Sequence, residues 1–183
     1  MALSTPGRAA GKESTGMIDY NRIVPRLFVG TFPESAKDVE TLRRLEGVTA
    51  VLNLQTDQDV REFCAEPIEA LYAAGGVKLC RIPVRDFDPS NLQQKLPECV
   101  AALSRLLEEG QTVYLHCTAG ANRSPTVAIA YLHWRLGWDL DSAVSHVEEC
   151  RYCVPNVEAI RRADWQPLSP PKGTSSRPGP ETP

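Results

Sequence analysis

The run His116-Cys117-Thr118-Ala119-Gly120-Ala121-Asn122-Arg123-Ser124-Pro125 places a thiol, a guanidinium and a hydroxyl in one short stretch. Five residues separate Cys117 from Arg123, enough for a loop to curl until the backbone N–H groups of Thr118, Ala119, Gly120, Ala121, Asn122 and Arg123 point inward. Such a nest at the start of a helix binds a phosphate dianion. The same donors, the helix dipole and Arg123 stabilise a thiolate, so Cys117 reads as a nucleophile at neutral pH. Arg123 offers a planar fork that holds two phosphoryl oxygens at once, which a lysine does not. Gly120, without a Cβ, is expected to take a positive φ and let the backbone approach the phosphate; Asn122, tolerant of left-handed geometry, is expected to close the loop. Ser124 is placed to donate its hydroxyl to the sulfur when the phosphoenzyme is hydrolysed.

A leaving alkoxide or phenoxide needs a proton, so a carboxylic acid is expected on a neighbouring loop. Arg85-Asp86-Phe87-Asp88-Pro89 meets that need, with Asp86 as the expected general acid and Asp88 as its rival. The plainer readings are a buried structural thiol for Cys117, a surface cation for Arg123 and a helix cap for Asp86. A structural thiol, however, requires neither a glycine-bearing loop nor an arginine six positions on nor a helix start. His116 is expected to position the loop through its ring N–H, while His133 and His146 fall on predicted helices and read as structural or solvent-facing. The chemistry calls for no metal and no cofactor.

The elements that must position these groups are legible as alternating strand-like and helix-like runs. Arg26-Leu27-Phe28-Val29 before Gly30 reads as a strand. Ser35-Ala36-Lys37-Asp38 resembles a capping box, and Val39, Leu42 and Leu45 continue at helical spacing to Gly47. Residues 48–54 and 77–82 read as strands, with a helix over 67–74 between them. Leu96, Cys99, Val100, Leu103, Leu106 and Leu107 share one face of a helix with Pro97 in its first turn. Residues 112–116 form the strand before the loop and 124–136 the helix after it, followed by shorter helices over 140–150 and 155–163. The expected fold is α/β, a central, mostly parallel sheet flanked by helices.

Composition fits one globular domain: 42% of the 183 residues are hydrophobic and 23% charged. With 20 Lys plus Arg against 23 Asp plus Glu, the net charge of −3 exerts no general pull toward nucleic acid or an acidic membrane. No apolar run approaches the roughly 20 residues that span a bilayer, and no secretory signal is apparent, which points to a cytoplasmic protein. The expected domain covers residues 18–166. Residues 1–17 and the proline-rich 167–183 are expected to be disordered tails, an organelle-targeting segment being the alternative for the first. The six cysteines are irregularly spaced and read as reduced thiols; Cys150 and Cys153 lack a second pair at zinc spacing and read as structural.

His-Cys-x5-Arg-Ser with an upstream Asp on its own loop resembles the dual-specificity branch of the protein tyrosine phosphatase superfamily. From about Tyr20 to Trp165 the chain is similar to the phosphoglucan phosphatases, namely the plant starch-excess enzymes and laforin. The resemblance is carried by Arg26-Leu27-Phe28-Val29-Gly30, Val51-Leu52-Asn53-Leu54-Gln55-Thr56-Asp57, Asp86-Phe87-Asp88-Pro89 with Leu96-Pro97, Cys117-Thr118-Ala119-Gly120, and residues 155–165. It implies removal of phosphate from glucose units of starch or glycogen, with aromatic side chains holding the glucan beside the loop. Phe87 matches one such position, and Tyr20 and Phe63 are further candidates; for each the alternative is a core or ordinary surface aromatic. The family's usual glycine is Asn122 here, and a tyrosine of the plant forms corresponds to Glu62. The alternative substrate is a phosphoprotein. A non-catalytic phosphate-binding module and a sulfurtransferase or arsenate reductase are the readings of other classes.

Overall fold

The computed structural model describes residues 18–64 and 67–166; the two tails lie outside the described residues. Among the described residues five strands form one sheet in the order β1-β2-β5-β3-β4. They are β1 (Tyr20–Val24), β2 (Leu27–Gly30), β3 (Ala50–Asn53), β4 (Lys78–Arg81) and β5 (Val113–His116). Among the described residues only the β1–β2 pair is antiparallel, so the expected mostly parallel sheet is what forms.

The strands alternate between two apolar layers, as a doubly covered sheet requires. Leu27, Val29, Ala50, Leu52, Val113 and Leu115 face one core; Phe28, Val51 and Tyr114 face the other. The second face is covered by α1 (Ala36–Glu46), α2 (Asp57–Phe63) and α3 (Ile68–Ala74) through Val39, Leu42, Val60, Ile68, Leu71 and Tyr72. The first is covered by α4 (Pro89–Glu108), α5 (Arg123–Trp134), α6 (Leu140–Cys150) and α7 (Val157–Arg162). Strand β5 leads into α5 on one face, while its neighbours β2 and β3 lead to helices on the other. That arrangement opens a crevice at the carboxyl end of β5.

Local chemistry accounts for the ends of α1. Ser35 and Asp38 form the expected reciprocal capping box, and Gly47 closes the helix with φ 67°. Two elements were not expected from sequence. The β1 strand borders β2 along the sheet edge, and α2 begins at a second capping box, Thr56 with Asp59. One helix was misplaced. Instead of starting near Pro97, α4 starts at Pro89 with Asp88 as its N-cap, the Asp88 carboxylate accepting from Asn91 N–H at 2.9 Å. Pro97 therefore lies inside a 20-residue helix, whose buried leucine face overrides one missing backbone donor. Trp165 stacks on Trp134 with centroids 4.9 Å apart, fastening the end of the domain to α5. No helix among the described residues is long and apolar enough to cross a membrane.

Candidate active site

Cys117 follows the last residue of β5 at the mouth of the crevice and is buried. The next residues curl as expected, with their carbonyls directed outward. The Cys117 carbonyl accepts from His116 Nδ1 at 2.9 Å, that of Thr118 from Phe32 N–H at 3.1 Å, and that of Ala121 from Val154 N–H at 2.7 Å. Among the described residues none of the N–H groups from Thr118 to Arg123 has a hydrogen-bond acceptor. A ring of unpaired donors around a thiol is an anion seat. Ser124 Oγ lies 3.3 Å from Cys117 Sγ.

Gly120 has φ 65°, the left-handed value expected of it, but the space its missing Cβ frees is filled by the backbone of Gly30 rather than left for a ligand. Asn122 departs from expectation. Its φ is −125°, so the loop closes without a left-handed residue there, and its side chain donates instead to the Val154 carbonyl at 2.7 Å.

Arg123 is buried, and Asp59 holds it end-on: Nη1 donates to Oδ2 at 3.0 Å and Nη2 to Oδ1 at 3.3 Å. Nη1 also donates to the Val84 carbonyl at 2.9 Å. Burial alone would raise the Asp59 carboxyl, but the hydrogen bonds from Arg123 and Thr56 prevail and hold it down at about 2. For Arg123 the desolvation that disfavours its charge is outweighed by Asp59 and then by Cys117 and Asp86. What remains of the guanidinium is the Nε–Nη2 edge. Nε has no partner among the described residues, and Nη2 reaches Asp86 Oδ2 at 2.8 Å and Thr118 Oγ1 at 3.2 Å.

Asp59 was not anticipated from sequence, although Thr56-x-x-Asp59 carries a capping-box signature that could have disclosed both α2 and the residue. Asp59→Asn should lower phosphate-ester turnover about a hundredfold by letting the fork drift, and should cost about 3–5 kcal/mol by leaving a buried cation half-paired. Steady-state kinetics alongside thermal melts would check both; full activity in a stable variant would contradict the role.

His116 is fully buried, and its two ring nitrogens have distinct partners. A carbonyl can only accept, so Nδ1 carries the proton toward Cys117 O, and Nε2 then accepts from the Tyr72 hydroxyl at 2.6 Å. Burial pushes its pKa down to about 4, against the Cys117 hydrogen bond and with help from the Arg123 charge. The ring is therefore neutral at neutral pH and positions the loop. Because the unfolded chain takes up this proton first, stability from His116 is complete above the ordinary value of 6.5 and is lost as pH falls from there toward 4. The expected loss is roughly 3 kcal/mol across that window, measurable by urea unfolding at stepped pH; a flat profile would exclude the buried neutral tautomer.

The rival acids separate clearly. Asp86 reaches Arg123, whereas Asp88 is spent on capping α4 and on an ion pair with Arg85 at 3.1 Å. Phe87, between them, is 98% exposed with φ 54°, a conformation uncommon for any residue but glycine. It joins Leu92, Asn122, Arg123, Val154 and Asn156 around a cleft of about 420 Å³. The other two aromatics do not reach this cleft. Tyr20 lies in β1, half-buried, its ring edge-on to Phe28 and Tyr114 and its hydroxyl on Glu46 at 3.0 Å. Phe63 ends α2 beside Phe32, with centroids 6.3 Å apart, and does not line the cleft.

Residues 27–162 match the family model for the dual specificity phosphatase catalytic domain. The chain belongs to the dual-specificity phosphatase family. Phosphoglucan phosphatase LSF1, chloroplastic, of Arabidopsis thaliana is 34% identical over 148 residues, covering 80% of this chain and 25% of that protein. Laforin of Mus musculus is 35% identical over 133 residues, 66% of this chain and 40% of that one. The chain thus spans between a quarter and two fifths of these relatives' length. Among solved structures, the Cydia pomonella PTP-2 phosphatase superposes with a TM-score of 0.65 at 25% identity, covering 79% of this chain and 89% of that one. All six cysteines of this family member, Cys117 included, are free thiols.

Proposed function

We propose that this chain is a cysteine-dependent phosphomonoesterase whose substrate is a phosphorylated glucan. The observation that carries the reaction is the placement of Asp86 on the free edge of Arg123, at the mouth of an unpaired N–H ring that surrounds Cys117. The phosphate binds with its oxygens on the loop N–H groups and on Arg123 Nε and Nη2, displacing the Asp86 carboxylate from Nη2. Once displaced, the Asp86 carboxylate takes up a proton from solvent; the Cys117 thiolate attacks phosphorus, the P–O ester bond breaks, and the leaving oxygen takes that proton from Asp86. Water then attacks the phosphocysteine, giving a proton back to Asp86, and the P–S bond breaks to release orthophosphate. The Ser124 hydroxyl donates to the departing sulfur.

Phe87 supports the glucan reading. Holding a phenylalanine left-handed costs on the order of 1 kcal/mol, and holding the ring in water forgoes its burial. A sugar ring presents an apolar face that such a ring can receive, and two related proteins are named phosphoglucan phosphatase and laforin. A thiolate nucleophile requires a reducing compartment, which we take to be the cytoplasm, an organelle interior being the alternative suggested by the plastid relative. The test is phosphate release from solubilised phosphoglucan and from a phosphotyrosine peptide. Fast release from glucan upholds the reading, release from peptide alone reassigns the substrate to phosphoprotein, and release from neither leaves a phosphate-binding module.

A further inference from the structure

Asn122 stands at the N-cap of α5 but makes no side-chain cap hydrogen bond, and its φ of −125° suits any residue. Neither capping nor backbone geometry accounts for its type. Its side chain instead reaches the segment between α6 and α7, where both backbone groups of Val154 are tied to the phosphate loop. Val154 N–H donates to Ala121 O and Asn122 Nδ2 donates to Val154 O, each at 2.7 Å. Two residues on, Asn156 N–H donates to Thr126 Oγ1 at 2.8 Å, and that hydroxyl in turn donates to Asn122 O at 2.8 Å. Residues 154–156 thus form a strap stapled to the loop that receives phosphate. The staple holds up an apolar surface: Val154 is 63% exposed, and with Asn156 it lines the cleft that Phe87 and Leu92 also line.

We propose that Asn122 is a specificity-determining positioning residue, which fixes the Val154 wall at a set distance from the phosphate seat so that the enzyme favours esters of extended, ring-built alcohols over small ones. The inference deepens the proposed function and rests on it for the identity of the alcohol. A wall ordered in advance spares an extended ligand the entropy of ordering it, whereas a small aryl phosphate, occupying the seat alone, gains little from the wall. The contribution should therefore appear in KM for the long substrate.

The test compares Asn122→Ala, which removes the amide without freeing the loop backbone, with the isosteric Asn122→Asp, which replaces the donor by an acceptor facing a carbonyl. In both variants KM for solubilised phosphoglucan should rise about tenfold relative to KM for p-nitrophenyl phosphate, with the kcat ratio between the substrates little changed. Amide hydrogen exchange at 152–156 should accelerate about tenfold in the same proteins. An unchanged KM ratio, or strap amides that exchange as in the parent, would overturn the proposal. Absence of turnover of p-nitrophenyl phosphate by the parent protein would instead refute the phosphatase reading, while the exchange measurement still reports on the staple.

Discussion

Cys117→Ser should abolish phosphate release, with kcat falling about 10⁴-fold or more, since removal of a nucleophile leaves only binding and electrostatic terms. A serine hydroxyl keeps the position and nearly the volume, and it can still accept from Ser124, so the fold should survive and melts should change little. What it lacks is the sulfur nucleophile. Orthophosphate should consequently still bind, because the unpaired N–H groups of 118–123 and the Nε–Nη2 edge of Arg123 remain. Arg123→Lys separates the two functions in the opposite sense. A point charge cannot pair end-on with Asp59 and side-on with phosphate at once, so both phosphate affinity and turnover should fall, turnover by about 10²–10³-fold. Single-turnover kinetics with isothermal titration of orthophosphate would measure both. Residual turnover in Cys117→Ser within tenfold of the parent would remove Cys117 from the nucleophile's role.

The phosphate loop was legible because its requirements are local. A thiol, a glycine and an arginine at fixed separation before a proline-bearing helix start constrain one another over a few residues, and the loop curls accordingly. The hydrophobic periods likewise disclosed the layers, since a strand buried on both faces needs consecutive apolar residues and α1 needs its capping box. Asp59 was not legible, because its role depends on a contact 64 positions away in sequence that exists only once β3 and β5 pair. Tyr72, whose hydroxyl donates to His116 Nε2, escaped for the same reason. Tyr20 differs in another way: the family resemblance suggested it as a glucan contact, and pairing of β1 along the sheet edge sets its ring edge-on to Phe28 and Tyr114, away from the cleft that Phe87 lines. Asn122 was read for its backbone tolerance, whereas the structure uses its amide.

Asp86→Asn should divide substrates by leaving group. A sugar alkoxide cannot depart without a proton, so release from phosphoglucan should fall about 10²–10³-fold when the acid is replaced by an amide. A nitrophenolate is a stable anion and departs unaided, so p-nitrophenyl phosphate should lose less than about tenfold. The same substitution removes an anionic competitor from Arg123 Nη2, which Asp86 now contacts at 2.8 Å. Orthophosphate should therefore inhibit the variant more tightly than the parent, even as turnover falls. Asp88→Asn offers the contrast, since an asparagine still caps a helix and the Arg85 pair is exposed; neither leaving-group dependence nor stability should change by more than about 1 kcal/mol. If the two substrates lost activity in equal proportion in Asp86→Asn, or if Asp88→Asn showed the leaving-group dependence instead, the acid would lie elsewhere on the loop. The geometry argues against that outcome, because Asp86 reaches Arg123 at 2.8 Å whereas the Asp88 carboxylate, though it lines the same cleft, is engaged by Asn91 N–H and Arg85.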